Sequence, residues 1–246
     1  MTPATVSVTF DNLGEASDLE RGWWPEDEPL GQHYSVTRAL PRVLEALDEA
    51  GLRATFFVEG LNTELYPGTL RELDAAGHEV ACHGWRHERW SALDPATERE
   101  RLQRSVEGMR ALGLRPVGFR PPGGELTAAT PALLRELGFT YCSPADGVPT
   151  GDMPALPFRW PLLDAYHYLP HFAGMRGTEE PLPPERLRDS VFEALDRTEG
   201  FLALLFHPFL ADTDERLAVI RDVLARVRAL VDEGALRCAP CRELVN

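Results

Sequence analysis

Short apolar runs alternate with helical patterns along almost the whole chain, and this alternation constrains the fold more than any other feature. Strands are expected at 4–10, 54–58, 78–82, 117–119, 139–142 and 201–206, with part of another near 156–163. Apolar residues at helical spacing fill most of the intervals. Such alternation predicts parallel strands joined by right-handed crossovers. About seven strands in one domain, residues 1–246, predict an α/β fold, a distorted (β/α)7-type barrel.

Charge and composition exclude several classes of partner. The net charge of −14 argues against nucleic acid and against an anionic membrane surface, which would both repel the chain. The N-terminus has neither the basic nor the apolar region of a signal peptide, and no apolar run is long enough to span a bilayer. We therefore expect a cytoplasmic protein without a membrane partner. The oligomeric state stays open, a homo-oligomer included.

Side chains that bind metal or move protons directly follow four of the apolar runs. These side chains are Asp11, His83, Arg120 and His207. In a barrel of alternating strands and helices, residues at the carboxyl ends of the strands converge on one face. This placement predicts a hydrolytic site.

His83 and His87 are four residues apart just after a strand. If the chain turns into a helix there, both imidazoles face one side and can bind one ion. Zinc, or another borderline divalent metal, suits two imidazoles with a carboxylate, an amide or a water. The alternative is a surface helix carrying two histidines without a function.

Asp11 and Asn12 supply a carboxylate and an amide at the end of the first strand. Asp11 is a candidate metal ligand or a candidate general base that takes a proton from water. Alternatively, Asp11 begins a turn in which Asn12 tolerates a positive φ.

Arg120 leads a rigid turn of two prolines and two glycines. It can hold a carboxylate by paired charge-assisted hydrogen bonds, or it is a solvated arginine in a structural turn. His207 suits a general acid for an amine leaving group, and its alternative is a core histidine. Asp164 either orients that histidine or caps a turn. We expect the substrate to contact Trp85, Pro122 and Gly123.

Two further segments have candidate roles. Residues 11–36 read as one long polar loop, whose part 23–28 is a candidate lid. Cys238 and Cys241 form a lone C-x-x-C at the end of the chain, without the strand-then-helix setting of a redox motif. We interpret them as structural thiols in the last turn; a redox pair or half a zinc site is the alternative.

In chain order, these motifs resemble the polysaccharide deacetylases, also called the NodB-homology or carbohydrate esterase family four. The resemblance rests on Thr9–Asn12, Ala54–Val58, Gly77–Glu79 leading to His83-x-x-x-His87, Arg120–Gly123 and Leu205–Pro208. The forms around His83 and His207 look most like the clade that includes intracellular peptidoglycan-deacetylase-like proteins and metal-independent allantoinases.

The resemblance implies both a fold and a mechanism. The fold is the NodB-homology barrel. Asp11 is the catalytic base held by Arg120, and His83 and His87 bind a divalent metal, usually zinc or cobalt. A water activated at the metal attacks an acetamide carbonyl, and His207 protonates the departing amine. The implied substrate is a small or oligomeric N-acetylated sugar.

The chain departs from the family pattern at Asn12, where most members carry a metal-binding Asp. An amide oxygen still ligates, but without the Coulomb attraction of a carboxylate, so we expect weak metal binding. Glu15 is a candidate compensating ligand, and Asp11 could itself turn to the metal. Two other functions remain: hydrolysis of a cyclic ureide or imide, as in allantoinases, and a binding protein that has lost the reaction.

Overall fold

The structure is a computed structural model that describes residues 3–245. In that range eight strands form one parallel sheet in the order β5-β4-β3-β2-β1-β7-β6, with β8 beside β1. The strands are β1 (Ala4–Asp11), β2 (Thr55–Val58), β3 (Glu79–Cys82), β4 (Gly118–Phe119), β5 (Tyr141–Cys142), β6 (Phe158–Leu163), β7 (Phe201–Phe206) and β8 (Leu236–Cys238).

The sheet curls until its two edges meet. Isolated backbone bridges join Cys142 to Ala155 and Ala145 to Phe158, which link the end of β5 to the start of β6. The prediction of a distorted (β/α)7-type barrel is therefore confirmed.

Ten α-helices surround the sheet within the described range. They are α1 (Ala16–Arg21), α2 (Leu40–Glu49), α3 (Asn62–Leu65), α4 (Pro67–Ala75), α5 (Pro95–Ala111), α6 (Thr130–Leu137), α7 (Asp164–Tyr168), α8 (Ala173–Arg176), α9 (Pro184–Arg197) and α10 (Asp214–Asp232). A π-helical segment, Ser35–Ala39, leads into α2. None of the helices in residues 3–245 is both long and apolar enough to cross a bilayer.

The two faces of β1 show how the barrel is built. Val6, Val8 and Phe10 belong to the main apolar cluster, which also contains the buried faces of the surrounding helices. Thr9 and Asp11 alternate with them and point to the opposite side, because successive side chains of a strand face opposite ways. Both hydrogen-bond to Arg120, so the interior of the barrel is polar near the carboxyl ends of the strands.

The segment 11–36 is not the single long loop that the sequence predicted. It contains α1 and the start of the π-helical segment, and it packs on the body through buried residues such as Leu13 and Ala16. A single residue, Tyr66, separates α3 from α4. Tyr66 adopts a φ of −132° before Pro67, a conformation that interrupts a helix and that residues preceding proline favour.

The last strand, β8, was not predicted. It pairs with the first half of β1, where Val6 lies opposite Cys238, while β2 pairs only with the second half. The thiol of Cys241 is buried and donates to Ser7 Oγ at 3.2 Å. Burial raises the pKa of both Cys238 and Cys241 to about 11, which keeps them as unreactive thiols. These features agree with structural thiols, although Cys238 lies in a strand and not in a turn.

Candidate active site

A cavity of about 650 Å³ opens at the carboxyl ends of the barrel strands. Asp11, His83, Arg120 and His207, which end or follow β1, β3, β4 and β7, all line it. Strands from distant parts of the chain thus bring the four predicted side chains to one site. The convergence follows from parallel strands that all end on the same face.

Asp11 and Arg120 form a buried ion pair in this cavity. Arg120 Nη1 donates to Asp11 Oδ1 at 2.8 Å, and both side chains are almost fully buried. Burial raises the pKa of Asp11, and the charge and hydrogen bond of Arg120 oppose that rise. The second oxygen, Oδ2, lies 3.8 Å from His83 Nε2. The carboxylate is therefore fixed by one oxygen and presents the other toward His83.

Arg120 is not the solvated turn residue of the alternative interpretation. Its Nε and Nη2 donate to Ser143 Oγ at 3.1 and 2.8 Å, and its Nη1 also donates to Thr9 Oγ1 at 2.9 Å. The guanidinium lies 4.0 Å from the centre of the Phe57 ring. Ser143 was not predicted as a site residue, although it directly follows β5 and so has the same strand-end position as the predicted residues.

His207 and Asp164 form a second buried pair. His207 Nδ1 lies 2.6 Å from Asp164 Oδ1, and the backbone N–H of His207 donates to Oδ2 at 2.7 Å. Burial lowers the pKa of His207, but the charge and hydrogen bond of Asp164, together with the charge of Asp11, raise it above its ordinary value. Asp164 therefore orients the histidine and favours its protonated form, while Nε2 stays available to a ligand.

His83 and His87 lie together beside Asp11. Their ring centroids are 5.0 Å apart, and His83 Nδ1 hydrogen-bonds to the carbonyl of Arg120 at 2.8 Å, which leaves Nε2 available. Burial lowers the pKa of His83 to about 3 and the pKa of His87 well below its ordinary value. Both imidazoles are therefore neutral at neutral pH, which is the form that binds metal ions.

The backbone between these histidines is a loop, not the helix turn that the sequence analysis considered. Gly84 has a φ of +74°, and a Cβ there would lie 2.8 Å from Glu88 Oε2. That carboxylate accepts hydrogen bonds from the backbone N–H groups of Trp85 and Arg86, at 3.0 and 3.1 Å. The tight loop, and not helical periodicity, brings the two rings together.

Asn12 is the third candidate metal ligand. Its Oδ1 is buried and has no hydrogen-bond partner among the described residues. Asn12 and His87 are also the two non-glycine residues in the described range with positive φ, 59° and 70°. Such conformations are costly and concentrate at functional sites.

The three side chains fit a divalent cation by their chemistry. Within residues 3–245 no three His, Cys, Asp or Glu side chains form a metal-binding group. Asn12, His83 and His87 line the same cavity, and Asn12 offers an amide oxygen there. An unpartnered buried amide oxygen and two neutral imidazoles in one cavity are a donor set that borderline divalent metals accept. The set carries no negative charge of its own, which agrees with weak binding.

Glu15 does not compensate for Asn12, so this expectation is wrong. It is fully buried, and Tyr66 Oη donates to its Oε2 at 2.6 Å. Its Oε1 accepts from the backbone N–H of Gly31. Both oxygens are therefore used to fix the segment after β1.

Glu59 and Asn62, which were not predicted as site residues, support the turn that carries Asn12. Asn62 Nδ2 donates to the carbonyl of Leu13 at 2.9 Å and to Glu59 Oε2 at 3.1 Å. Burial raises the pKa of Glu59 well above its ordinary value, and the charge of Asp11 adds to that rise. Glu59 directly follows β2, so its strand-end position was a signal for this role.

The expected substrate contact of Trp85 is wrong. Its side chain is 2% exposed and lies outside the lining of the cavity, and the Arg104 guanidinium covers its ring at 3.8 Å. Pro122 and Gly123 do line the cavity, as expected of substrate-binding residues. The loop that joins the two histidines turns Trp85 inward, away from the opening.

An aromatic wall forms another side of the cavity. Phe158, Trp160 and Phe172 line it, with ring centroids 5.1 Å apart for the first pair and 5.4 Å for the second. Phe158 and Trp160 belong to β6, and Phe172 follows α7. The wall gives the cavity an apolar surface beside its polar centre.

Comparison with known proteins shows similarity to one family. The sequence profile described as polysaccharide deacetylase matches residues 1–142. Over 157 residues the chain is 34% identical to the peptidoglycan deacetylase-like protein FGM2 of Gibberella zeae, covering 58% of this chain and 43% of that protein. It is 35% identical over 118 residues to the peptidoglycan deacetylase of Helicobacter pylori, covering 48% of this chain and 40% of that one.

A solved structure matches over nearly the whole chain. A Mycobacterium smegmatis protein assigned to the polysaccharide deacetylases superposes with a TM-score of 0.85 at 31% identity, covering 99% of this chain and 89% of that one. The chain spans less than half the length of the two curated relatives named above.

Proposed function

Because the chain belongs to the polysaccharide deacetylase family, we propose that it hydrolyses the amide bond of an N-acetylated sugar and releases acetate and the free amine. One observation carries the proposal: the buried Asp11–Arg120 pair lines the same cavity as His207, which Asp164 holds from behind the cavity wall. His83 also lines this cavity and lies next to Asp11. A base and an acid in one cavity are what amide hydrolysis requires.

Asp11 acts as the general base in this proposal. Arg120 donates to Oδ1. Oδ2 takes a proton from the attacking water, whose oxygen forms the new bond to the carbonyl carbon. A carboxylate whose pKa is raised by burial accepts a proton more readily than an exposed one. Arg120 keeps the other oxygen in place.

His207 acts as the general acid. It delivers its proton from Nε2 to the sugar nitrogen as the C–N bond breaks, so the amine leaves in a neutral form. Asp164 favours the protonated histidine before this step. The polar atoms of the pair are close enough, at 2.6 Å, to hold one orientation of the ring.

Asn12, His83 and His87 would hold the divalent metal, for which we propose zinc or cobalt. When bound, such an ion polarises a carbonyl group and lowers the pKa of water. The protein's own part is to supply neutral imidazoles and an amide oxygen in fixed positions. The neutral donor set supports weak retention of the ion.

Release of acetate from N-acetylglucosamine oligomers tests the proposal, with allantoin as the comparison substrate. The purified protein is assayed after loading with zinc or cobalt. We expect acetate and free amine in equal amounts. Turnover of allantoin alone would favour the cyclic ureide function, and inactivity on both, also after Asn12→Asp, would favour a binding protein without catalysis.

Asn12→Asp is expected to tighten zinc binding at least about tenfold, because a carboxylate adds Coulomb attraction that an amide lacks. Asp tolerates the positive φ of this position about as well as Asn does. Isothermal titration with zinc measures the change, and Asn12→Ala, which removes the donor, should weaken binding. Equal affinity of all three proteins would mean that this side chain does not face the ion.

Asp164→Asn is expected to move the alkaline limb of the kcat/KM profile to lower pH by about 1–2 units, since an adjacent opposite charge shifts a pKa by that order. The sign follows from the pKa of His207. The charge and hydrogen bond of Asp164 raise it and burial lowers it, so removing the carboxylate lets it fall. His207 then loses its proton at lower pH. An unmoved limb would exclude His207 as the titrating acid.

A further inference from the structure

Arg21 is a cation without an acidic partner at the mouth of the cavity. It ends α1 and lines the cavity together with His87. Within residues 3–245 it forms no ion pair, unlike Arg226, which pairs with Asp196 at 2.6 Å. In a chain of net charge −14, an arginine left free beside the reacting centre is available to a ligand.

The Arg21 side chain is held in place without its charge being neutralised. Its Nη1 donates to Ser17 Oγ at 2.7 Å, and its Nη2 lies 3.4 Å from His87 Nδ1. The guanidinium also lies 5.0 Å from the centre of the Trp23 ring. These neutral contacts fix the direction of the guanidinium. They also reduce the conformational entropy that the Arg21 side chain loses when a ligand binds.

Arg21 stands at the junction of two cavities. A second cavity, of about 560 Å³, shares Asn12, Arg21 and His171 with the first and continues toward Trp23 and Tyr34. A group attached close to the scissile amide therefore comes within reach of the guanidinium while the amide lies at the histidines.

Charge around the mouth is unevenly distributed. Arg21 and Arg89 follow β1 and β3, whereas Glu125 and Asp146 follow β4 and β5, and all four line the cavity without an ion pair among the described residues. The anionic group of a ligand would be attracted to the side that carries Arg21 and Arg89 and repelled from the side that carries Glu125 and Asp146. The arrangement therefore favours a negatively charged ligand and one orientation of that ligand in the cavity.

We propose that Arg21 is a specificity-determining residue that binds a carboxylate carried by the sugar next to its N-acetyl group, a role that rests on the proposed function. The substrate class is then an acidic N-acetylated amino sugar, not a neutral one. Arg suits this role because its planar guanidinium pairs two N–H donors with one carboxylate.

The test compares N-acetylmuramic acid, whose lactyl carboxylate adjoins the acetamide, with its neutral methyl ester. We expect the protein to deacetylate the acid with a kcat/KM roughly tenfold higher than the ester, as one charge-assisted bidentate contact would give. Arg21→Gln should bring the ratio of kcat/KM for acid and ester close to one, while its contact with the candidate metal ligand His87 affects both substrates alike. Arg21→Lys should keep part of the preference, and added salt should reduce it.

Arg71→Gln serves as the matched control. Arg71 lies on α4, is exposed and lines neither cavity, so this variant removes the same charge and should keep the preference. Equal turnover of acid and ester would overturn this inference alone, and so would an Arg21→Gln variant that slows both substrates equally. No acetate from any N-acetylated sugar would instead overturn the proposed function.

Discussion

Replacing His207 with Ala is expected to lower kcat by about 10²–10⁴, the usual contribution of a positioned general acid or base. His207 lines the cavity, is held by Asp164 at 2.6 Å and has a pKa above its ordinary value, so it is poised to give a proton. It does not belong to the candidate metal ligands. Metal content should therefore remain that of the unaltered protein, as measured by elemental analysis of both proteins.

His167→Ala is the matched control for this variant. His167 is also a buried imidazole, but it hydrogen-bonds to the carbonyl of Pro161 at 3.0 Å and does not line the cavity. We expect that variant to lose some stability and to keep turnover within a few-fold, an order expected for a change away from the reacting atoms. Unchanged turnover in His207→Ala would rule out the assigned proton donor.

Arg120→Met is expected to reduce the free energy of unfolding by about 3–5 kcal/mol, the order found when one partner of a buried ion pair is removed. The substitution leaves the carboxylate of Asp11 buried without its charge partner. It also removes the donors that Thr9 and Ser143 accept from. Urea unfolding, followed by circular dichroism, measures the loss.

The double variant Arg120→Met/Asp11→Asn separates the two causes. It removes the buried negative charge as well, so it should recover a substantial part of the stability that Arg120→Met loses. Both variants should be inactive, because each lacks part of the general-base pair. If the double variant were as unstable as the single one, packing of the guanidinium on Phe57 would be the main contribution of Arg120.

Much of the barrel could be predicted because its signals are local. The apolar runs around Phe10, Phe56 and Phe206 show the period of buried strands, and Gly51 and Gly138 end helices with positive φ. Parallel strands then place their carboxyl ends on one face of the barrel, independently of the conformation of the loops. Hence Asp11, Arg120 and His207 could be assigned to one site before any contact was known.

The conformation of the loops could not be predicted, because it depends on distant partners. Glu15 was expected to serve as an additional metal ligand beside Asn12, but its carboxylate accepts a hydrogen bond from Tyr66, 51 residues away in the chain. Trp85 was expected to contact the substrate, but the loop between His83 and His87 buries its side chain, and the Arg104 guanidinium covers the ring. Similarly, β8 is too short and mixed to be recognised without its partner β1.

The sequence by itself determined the order of the elements, the barrel class and the strand ends at which reactive side chains meet, because periodicity and strand direction are set by neighbouring residues. Only the tertiary structure decided which side chains pair there: Asp164 with His207 across 43 residues, and Arg120 with Asp11 across 109. It also decided that Arg21 faces the cavity with its charge unpaired. Those outcomes depend on burial and on hydrogen bonds between distant segments, which no local pattern encodes.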